Sequence, residues 1–293
     1  REEMAGFGTT PTPLLRSRRL ARGVGLEKLY FKCETANLTG SFKDRPVAVA
    51  VAMAQRLGYR RVVAASSGNA AAATAACAAR QGLECVIVLP ASTPPEKVRQ
   101  TAAYGASVFK VEGPYSNSYR VALDLAREHG VYNVTTTFLN PYAVEGDKLV
   151  GYELYEELGC MPQRVYVPVG AGPLLAGIGR GLDEYAGRDH LSCRARLIAV
   201  QAQGNSPIAQ AFDRGENQVL ANLCPDTIAG GIADGLVGYE QDGEYTLRLC
   251  RESGGAAMSV TDEQIRRAQA LLAREEGLFV EPSAAAALAG VLE

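Results

Sequence analysis

Tryptophan is absent from the 293 residues, and only two histidines occur, His129 and His190. The two lie far apart and lack metal-ligand spacing, which argues against a zinc site. The seven cysteines, Cys33, Cys77, Cys85, Cys160, Cys193, Cys224 and Cys250, form no CxxC and no disulfide framework. They read as buried thiols of a reducing cytosol. No apolar run reaches the ~20 residues of a membrane span. The opening REEMAGFGTTPTPLL has no signal-peptide core. Net charge is −2, with no basic stripe for nucleic acid and no acidic tail. A cytoplasmic chain with neither a nucleic-acid nor a membrane partner is expected. It opens on Arg1 rather than Met and stops inside a helical pattern at Glu293, as a trimmed chain would.

Alanine and glycine are abundant, which suits tightly packed layers of helix and sheet. The length gives room for two lobes with ample core. TPTPLL, at 10–15, reads as extended, because each X-Pro step disfavours helix. KLYFKCE, at 28–34, is the first clear strand, and a helix is expected from Lys43 to about Leu57. Strands at 61–66, 84–90, 106–112 and 131–135 then alternate with helices, and further strands fall at 164–170, 196–203 and 256–260. Each is a short, nearly continuous apolar run, as expected where helices cover both faces of a parallel sheet. TLRLCRES reads as helix. Thr261 and Gln264 form a capping-box pattern, and Ser283 reads as the cap of the last helix. Residues 47–140 are the expected small domain, with 1–46 and 141–293 as the large one.

The chain is organised around NLTGSFKDR, residues 37–45. Ser41 is the expected N-cap, and Lys43 sits in the first turn beside the positive end of the helix dipole. That field, with partial burial, favours the neutral amine, a nucleophile that forms Schiff bases with aldehydes. Alone, such a lysine reads as a solvated helix start. Three further stretches change that. SSGN, at 66–69, is a strand end feeding a helix, where amides and hydroxyls make an anion pocket. GAGPLLAG, at 170–177, is a second strand-to-helix loop. The third glycine of a dinucleotide fingerprint would fall on Leu175, and no acidic residue for a ribose ends the next strand. The loop instead suits one phosphate monoester at a helix N-terminus. EPS, at 281–283, adds a late hydroxyl.

An imine-forming lysine, a phosphate loop, a polar loop and a late hydroxyl together fit pyridoxal phosphate. The chain resembles the threonine synthase and threonine dehydratase group of pyridoxal-phosphate enzymes, of the tryptophan-synthase-β fold type (fold type II). The resemblance runs from TPLL to the final helix. GSFKDR and NPYAVEGDKLVGYEL are closest to threonine synthase. SSGNAAAATAACAARQGL and EPSAAAALAG match the group's cofactor segments.

The resemblance implies an α/β fold of two open, twisted, mostly parallel sheets flanked by helices, with the cofactor in the interdomain cleft. It implies that Lys43 holds the cofactor and is the catalytic residue. Phe42, Asn69, Gly170, Ala171, Gly172, Pro173, Leu174 and Ser283 would complete the cofactor site, Pro173 without an amide to offer. Ser66, Ser67, Gly68, Ala70, Arg45 and Lys148 are the expected substrate-binding residues. The substrate would be a small amino acid with a leaving group at the β or γ carbon, and the assembly a homodimer. Threonine synthase chemistry leads. A threonine or serine ammonia-lyase and a β-replacement synthase on an activated serine stand beside it. Three departures mark the chain. Pro46 replaces the glycine after KDR, Ala70 replaces the threonine after SGN, and both GAGPLLAG and TIAGGIADG are nearer the dehydratases.

Overall fold

A computed structural model describes residues 9–113 and 115–293. The N-terminal reading over residues 1–8 lies outside that range. Contacts divide the chain into two units. One holds the described residues up to Thr12 together with Glu34–Asp147, and the other holds Pro13–Cys33 and Lys148–Glu293. The sequence placed its boundaries near 46 and 140 instead. The difference has a local cause. Arg45 is bonded to Thr12 and Glu34, which ties the Lys43 segment into the first unit.

The first unit is built on a four-stranded parallel sheet. Its strands are β3 (Arg61–Ala65), β4 (Glu84–Pro90), β5 (Ser107–Val111) and β6 (Tyr132–Asn133), in the order β5-β4-β3-β6. Val62 and Ala64 pack with α2 (Asp44–Arg56) and α3 (Asn69–Arg80). Val63 and Ala65 face α5 (Tyr115–His129) through Ala122. Both faces of β3 are therefore covered, which accounts for its unbroken apolar run. α3 is an alanine helix with Ala71, Ala73, Ala75 and Ala78 at 0–1% exposure. α4 (Pro95–Ala103) follows β4.

The second unit opens with a short antiparallel ladder of β1 (Leu14–Arg16) and β2 (Tyr30–Lys32) around α1 (Leu20–Gly23). β2 is shorter than the expected 28–34 because Glu34 begins a 3-10 turn. The main sheet is parallel, β7 (Arg164–Pro168), β8 (Arg196–Ala202) and β9 (Ala256–Val260), in that order. α10 (Asp262–Leu271) and α11 (Pro282–Leu292) pack on Ile198, Val200 and Val260. α7 (Pro173–Arg188) and α9 (Glu240–Glu252) also contact β8, and α8 (Pro207–Asp213) contacts β9. The division between units falls within α6 (Pro141–Leu158). Its second half crosses α7 on glycine. A Cβ on Gly151 would lie 2.5 Å from the Ile178 carbonyl oxygen, and one on Gly181 would lie 2.6 Å from that of Lys148. Thr261 and Gln264 close the expected capping box. Among the described residues no helix is long and apolar enough to cross a membrane.

All seven cysteines are free, but they are not uniformly buried. Cys77, Cys85 and Cys250 are buried, whereas Cys160, Cys193 and Cys224 are exposed, which corrects the expectation for those three. Burial pushes the Cys77 and Cys85 thiols up to about 12 and that of Cys250 up to about 11. With an aromatic disulfide reagent at neutral pH, the three exposed thiols are expected to react in the native protein. The three buried ones should react only after unfolding, because the thiolate is the nucleophile. Labelling of Cys77 or Cys85 in the first phase, read by peptide mass, would contradict this.

Candidate active site

In the first unit Lys43 stands at the head of α2, but as its N-cap residue rather than inside the first turn. The expected cap, Ser41, instead accepts the Lys43 N–H at 3.3 Å and shapes the turn before the helix. Asp44 occupies the first helical position and accepts from both the N–H and the hydroxyl of Thr39. The Lys43 ammonium donates to Thr136 Oγ1 at 2.9 Å and lies 4.6 Å from the centre of the Phe42 ring. Its side chain is half-buried, so the nitrogen is sheltered and still reachable.

The 66–69 loop belongs to the same unit. Its strand end is held by Thr135, whose hydroxyl accepts the Ala65 N–H at 3.1 Å. Thr136, next in sequence, holds Lys43, so the lysine and the loop meet at this threonine pair. Ser66 and Ser67 are half-buried, Gly68 is exposed and is the N-cap of α3, and Asn69 is the first residue of that helix. The first amides of a helix have no intrahelical acceptor, so the loop offers donors to an anion. Ala70 is buried and carries no hydroxyl.

Arg45 is engaged within the first unit. Its side chain is 1% exposed, with Nε donating to Glu34 Oε2 at 2.6 Å. A second guanidinium nitrogen donates to Glu34 Oε1 and to Thr12 Oγ1, each at 2.9 Å. The planar fork is thus committed to a half-buried carboxylate, which corrects its expected place among the substrate ligands. Lys148, in the second unit, pairs with Glu184 at 2.7 Å.

The second unit supplies the glycine loop between β7 and α7. Gly172 is the N-cap of α7 with φ of +108°, and Pro173 opens the helix where no amide is needed. The carbonyls of the loop are taken from below. Thr246, fully buried, donates its hydroxyl to the Ala171 oxygen at 2.7 Å, and Gln201 donates to the Gly170 oxygen at 3.3 Å. The polar groups left for a ligand are the N–H groups of Gly170, Ala171, Gly172 and Leu174. A Cβ on Gly172 would fall 2.0 Å from Thr246 Oγ1, so only glycine makes this cradle. Neither Thr246 nor Gln201 was signalled by the sequence. Each is a single polar residue inside a helix or strand pattern, far along the chain from the loop it holds.

Ser283 is buried at the second position of α11, whose N-cap is Glu281. It is therefore not the helix cap. Its oxygen accepts the Gly231 N–H at 2.8 Å, and its own hydroxyl hydrogen remains to be donated. Gly231 lies in TIAGGIADG, which is held in place by Asp262 accepting from Thr227 and Ile228, and by Asn205 donating to the carbonyls of Ile232 and Asp234. The lysine amine of the first unit suits an aldehyde, and the second unit's cradle of amides, closed to any side chain, suits a phosphate monoester.

Comparison with known proteins agrees. The chain is 37% identical over 282 residues to the threonine synthase of Methanocaldococcus jannaschii, covering 96% of this chain and 68% of the relative. It is 34% identical over 286 residues to that of Halalkalibacterium halodurans, covering 97% and 77%. Among solved structures, maize serine racemase aligns with a TM-score of 0.84 at 27% identity, covering 100% of this chain and 85% of that one. A T.th. threonine deaminase aligns with a TM-score of 0.81 at 28% identity, covering 99% and 92%. A family model described as "Pyridoxal-phosphate dependent enzyme" matches residues 6–293. The chain belongs to the pyridoxal-phosphate dependent enzymes, and pyridoxal 5′-phosphate is its cofactor.

Proposed function

We propose that the chain converts O-phosphohomoserine to L-threonine, with phosphate leaving the γ carbon and water adding at the β carbon. The observation that carries the reading is the similarity to threonine synthases across 96% of the chain. When bound, pyridoxal phosphate supplies the electron sink for charge that develops at the substrate α carbon. Lys43 holds the cofactor through its amine, and after release takes the α proton and returns protons at later positions. Phe42 lines the lysine, and Asn69 would bond the ring oxygen of the bound cofactor. The N–H groups of Gly170, Ala171, Gly172 and Leu174 hold the phosphate, with Pro173 setting the helix start. Ser283 would face the ring nitrogen. A hydroxyl there does not keep that nitrogen protonated as a carboxylate would, which suits elimination and replacement over transamination. Ser66, Ser67 and Gly68 hold the substrate anion at the head of α3. Lys148 supplies a cation for the leaving phosphate, exchanging its present partner Glu184.

The ammonia-lyase reading is favoured by Ala70 and by the two dehydratase-like glycine segments. Separate incubations with O-phosphohomoserine, threonine, serine and O-phosphoserine decide between them. Phosphate plus threonine from O-phosphohomoserine is the expected result. Ammonia and a 2-oxo acid from free threonine or serine, with O-phosphohomoserine inert, would replace the proposal with the lyase.

A further inference from the structure

α6 carries a carboxyl that the proposed reaction leaves without a task. Asp147 is 1% exposed, and its Oδ1 has no hydrogen-bond partner. Burying a carboxylate oxygen in this way is costly, so such a group calls for an electrostatic reason. The packing supplies one. The helix meets the head of α2 backbone to backbone, since a Cβ on Gly146 would lie 2.4 Å from the Arg45 carbonyl oxygen and 2.7 Å from Pro46 Cα. Asp147 follows into the same buried ground.

The charged groups that act on Asp147 through space are Lys43 and Arg45 at the head of α2, and Glu34 on the 3-10 turn. Asp44, the next carboxyl, is turned to Thr39. Arg45 already has both ends of its fork on Glu34. The other cation acting on Asp147 is Lys43, which donates to Thr136, a neutral acceptor.

We propose that Asp147 is a positioning residue for Lys43: a buried counter-charge that ionises when the lysine nitrogen is protonated and holds a proton when that nitrogen is neutral. A proton lost at one group is matched by one gained at the other, so their summed charge stays constant and no co-reactant is needed. The inference rests on Lys43 being the cofactor lysine. Burial pushes the Asp147 carboxyl well above the ordinary carboxylate range, with Lys43 drawing it down and Glu34 pushing it further up. Burial thus favours the protonated carboxyl, and a charged Lys43 favours the ionised one. The position falls inside NPYAVEGDK, whose family likeness assigned roles to its neighbours but none to this aspartate.

The test is the visible absorbance of the holoenzyme across pH, which reports protonation of the lysine nitrogen joined to the cofactor. In Asp147→Asn the midpoint is expected to fall by about one to three pH units, the shift an opposite charge at close range produces. An unchanged midpoint overturns the inference and leaves the cofactor assignment standing. A wild-type enzyme whose colour is not bleached by borohydride overturns the assignment of Lys43 itself. A second measurement needs no Asp147 variant. With carbon-13-labelled aspartate, the Asp147 midpoint should rise by about a unit or more in Lys43→Met relative to wild type. Equal midpoints would remove the proposed coupling.

Discussion

Lys43→Ala is expected to fold, to lose the absorbance of a lysine-linked cofactor, and to lose turnover by about 10³-fold or more. The fold should persist because Lys43 contributes little to the core. It stands half-buried at a helix cap, and its one bond from a charged donor to Thr136 is worth about 1.5–3 kcal/mol, small beside the burial of the core. Alanine is also compatible with the backbone of Lys43, which is helical at φ −59°. The chemical loss should be large because one nitrogen performs two tasks, holding the cofactor and moving the proton. Absorbance and steady-state rate in the purified variant check this, with a melting curve to confirm the fold. Wild-type turnover would remove Lys43 from the mechanism.

The second large effect is expected at Gly172→Ala. Two costs combine there. The residue holds φ at +108°, where an L side chain is strained by about 1–2 kcal/mol. The added methyl would meet Thr246 at 2.0 Å from Oγ1 and 2.6 Å from Cγ2, an overpacking that costs about 1–3 kcal/mol. Thr246 cannot swing away cheaply, because it is fully buried and holds the Ala171 carbonyl. The sum is about 2–5 kcal/mol. Urea unfolding with and without pyridoxal phosphate separates stability from binding. The apoprotein midpoint should fall, and the extra stability conferred by the cofactor should shrink as its affinity drops. A lower apoprotein midpoint with an unchanged cofactor increment would mean that the loop does not hold the phosphate.

The alternation of apolar runs made most of the architecture legible. β3, β4 and β8 are sandwiched between helices, and a buried strand leaves a compact signal in the chain. The capping box at Thr261 was legible because both partners lie within one turn. The errors fall where a side chain answers to a distant partner. Ser283 reads as a helix cap, but its oxygen is taken by Gly231, 52 residues away. Arg45 reads as a free cation beside an anion site, yet Glu34 and Thr12 enclose it. Ser41 reads as a cap because hydroxyls favour caps, but the helix starts at Asp44. Thr135, Thr136, Gln201 and Thr246 organise the two loops and leave no periodic trace, since each acts singly across the fold.

The alanine face of α3 bears on how firmly residues 66–69 are held. Alanine has no rotamers, so this interface loses almost no side-chain entropy when it forms. For the same reason it has no rotamer change with which to absorb a displacement. A leucine or methionine contact can yield by turning about a bond; Ala71, Ala75 and Ala78 bring their backbone directly against the core. The head of α3 is therefore held at short range by these small residues, with the Thr135 hydroxyl fixing the strand end before it. A displacement of the helix body therefore carries the amides following Gly68 with it, so the packing of the alanines sets where this loop presents its donors.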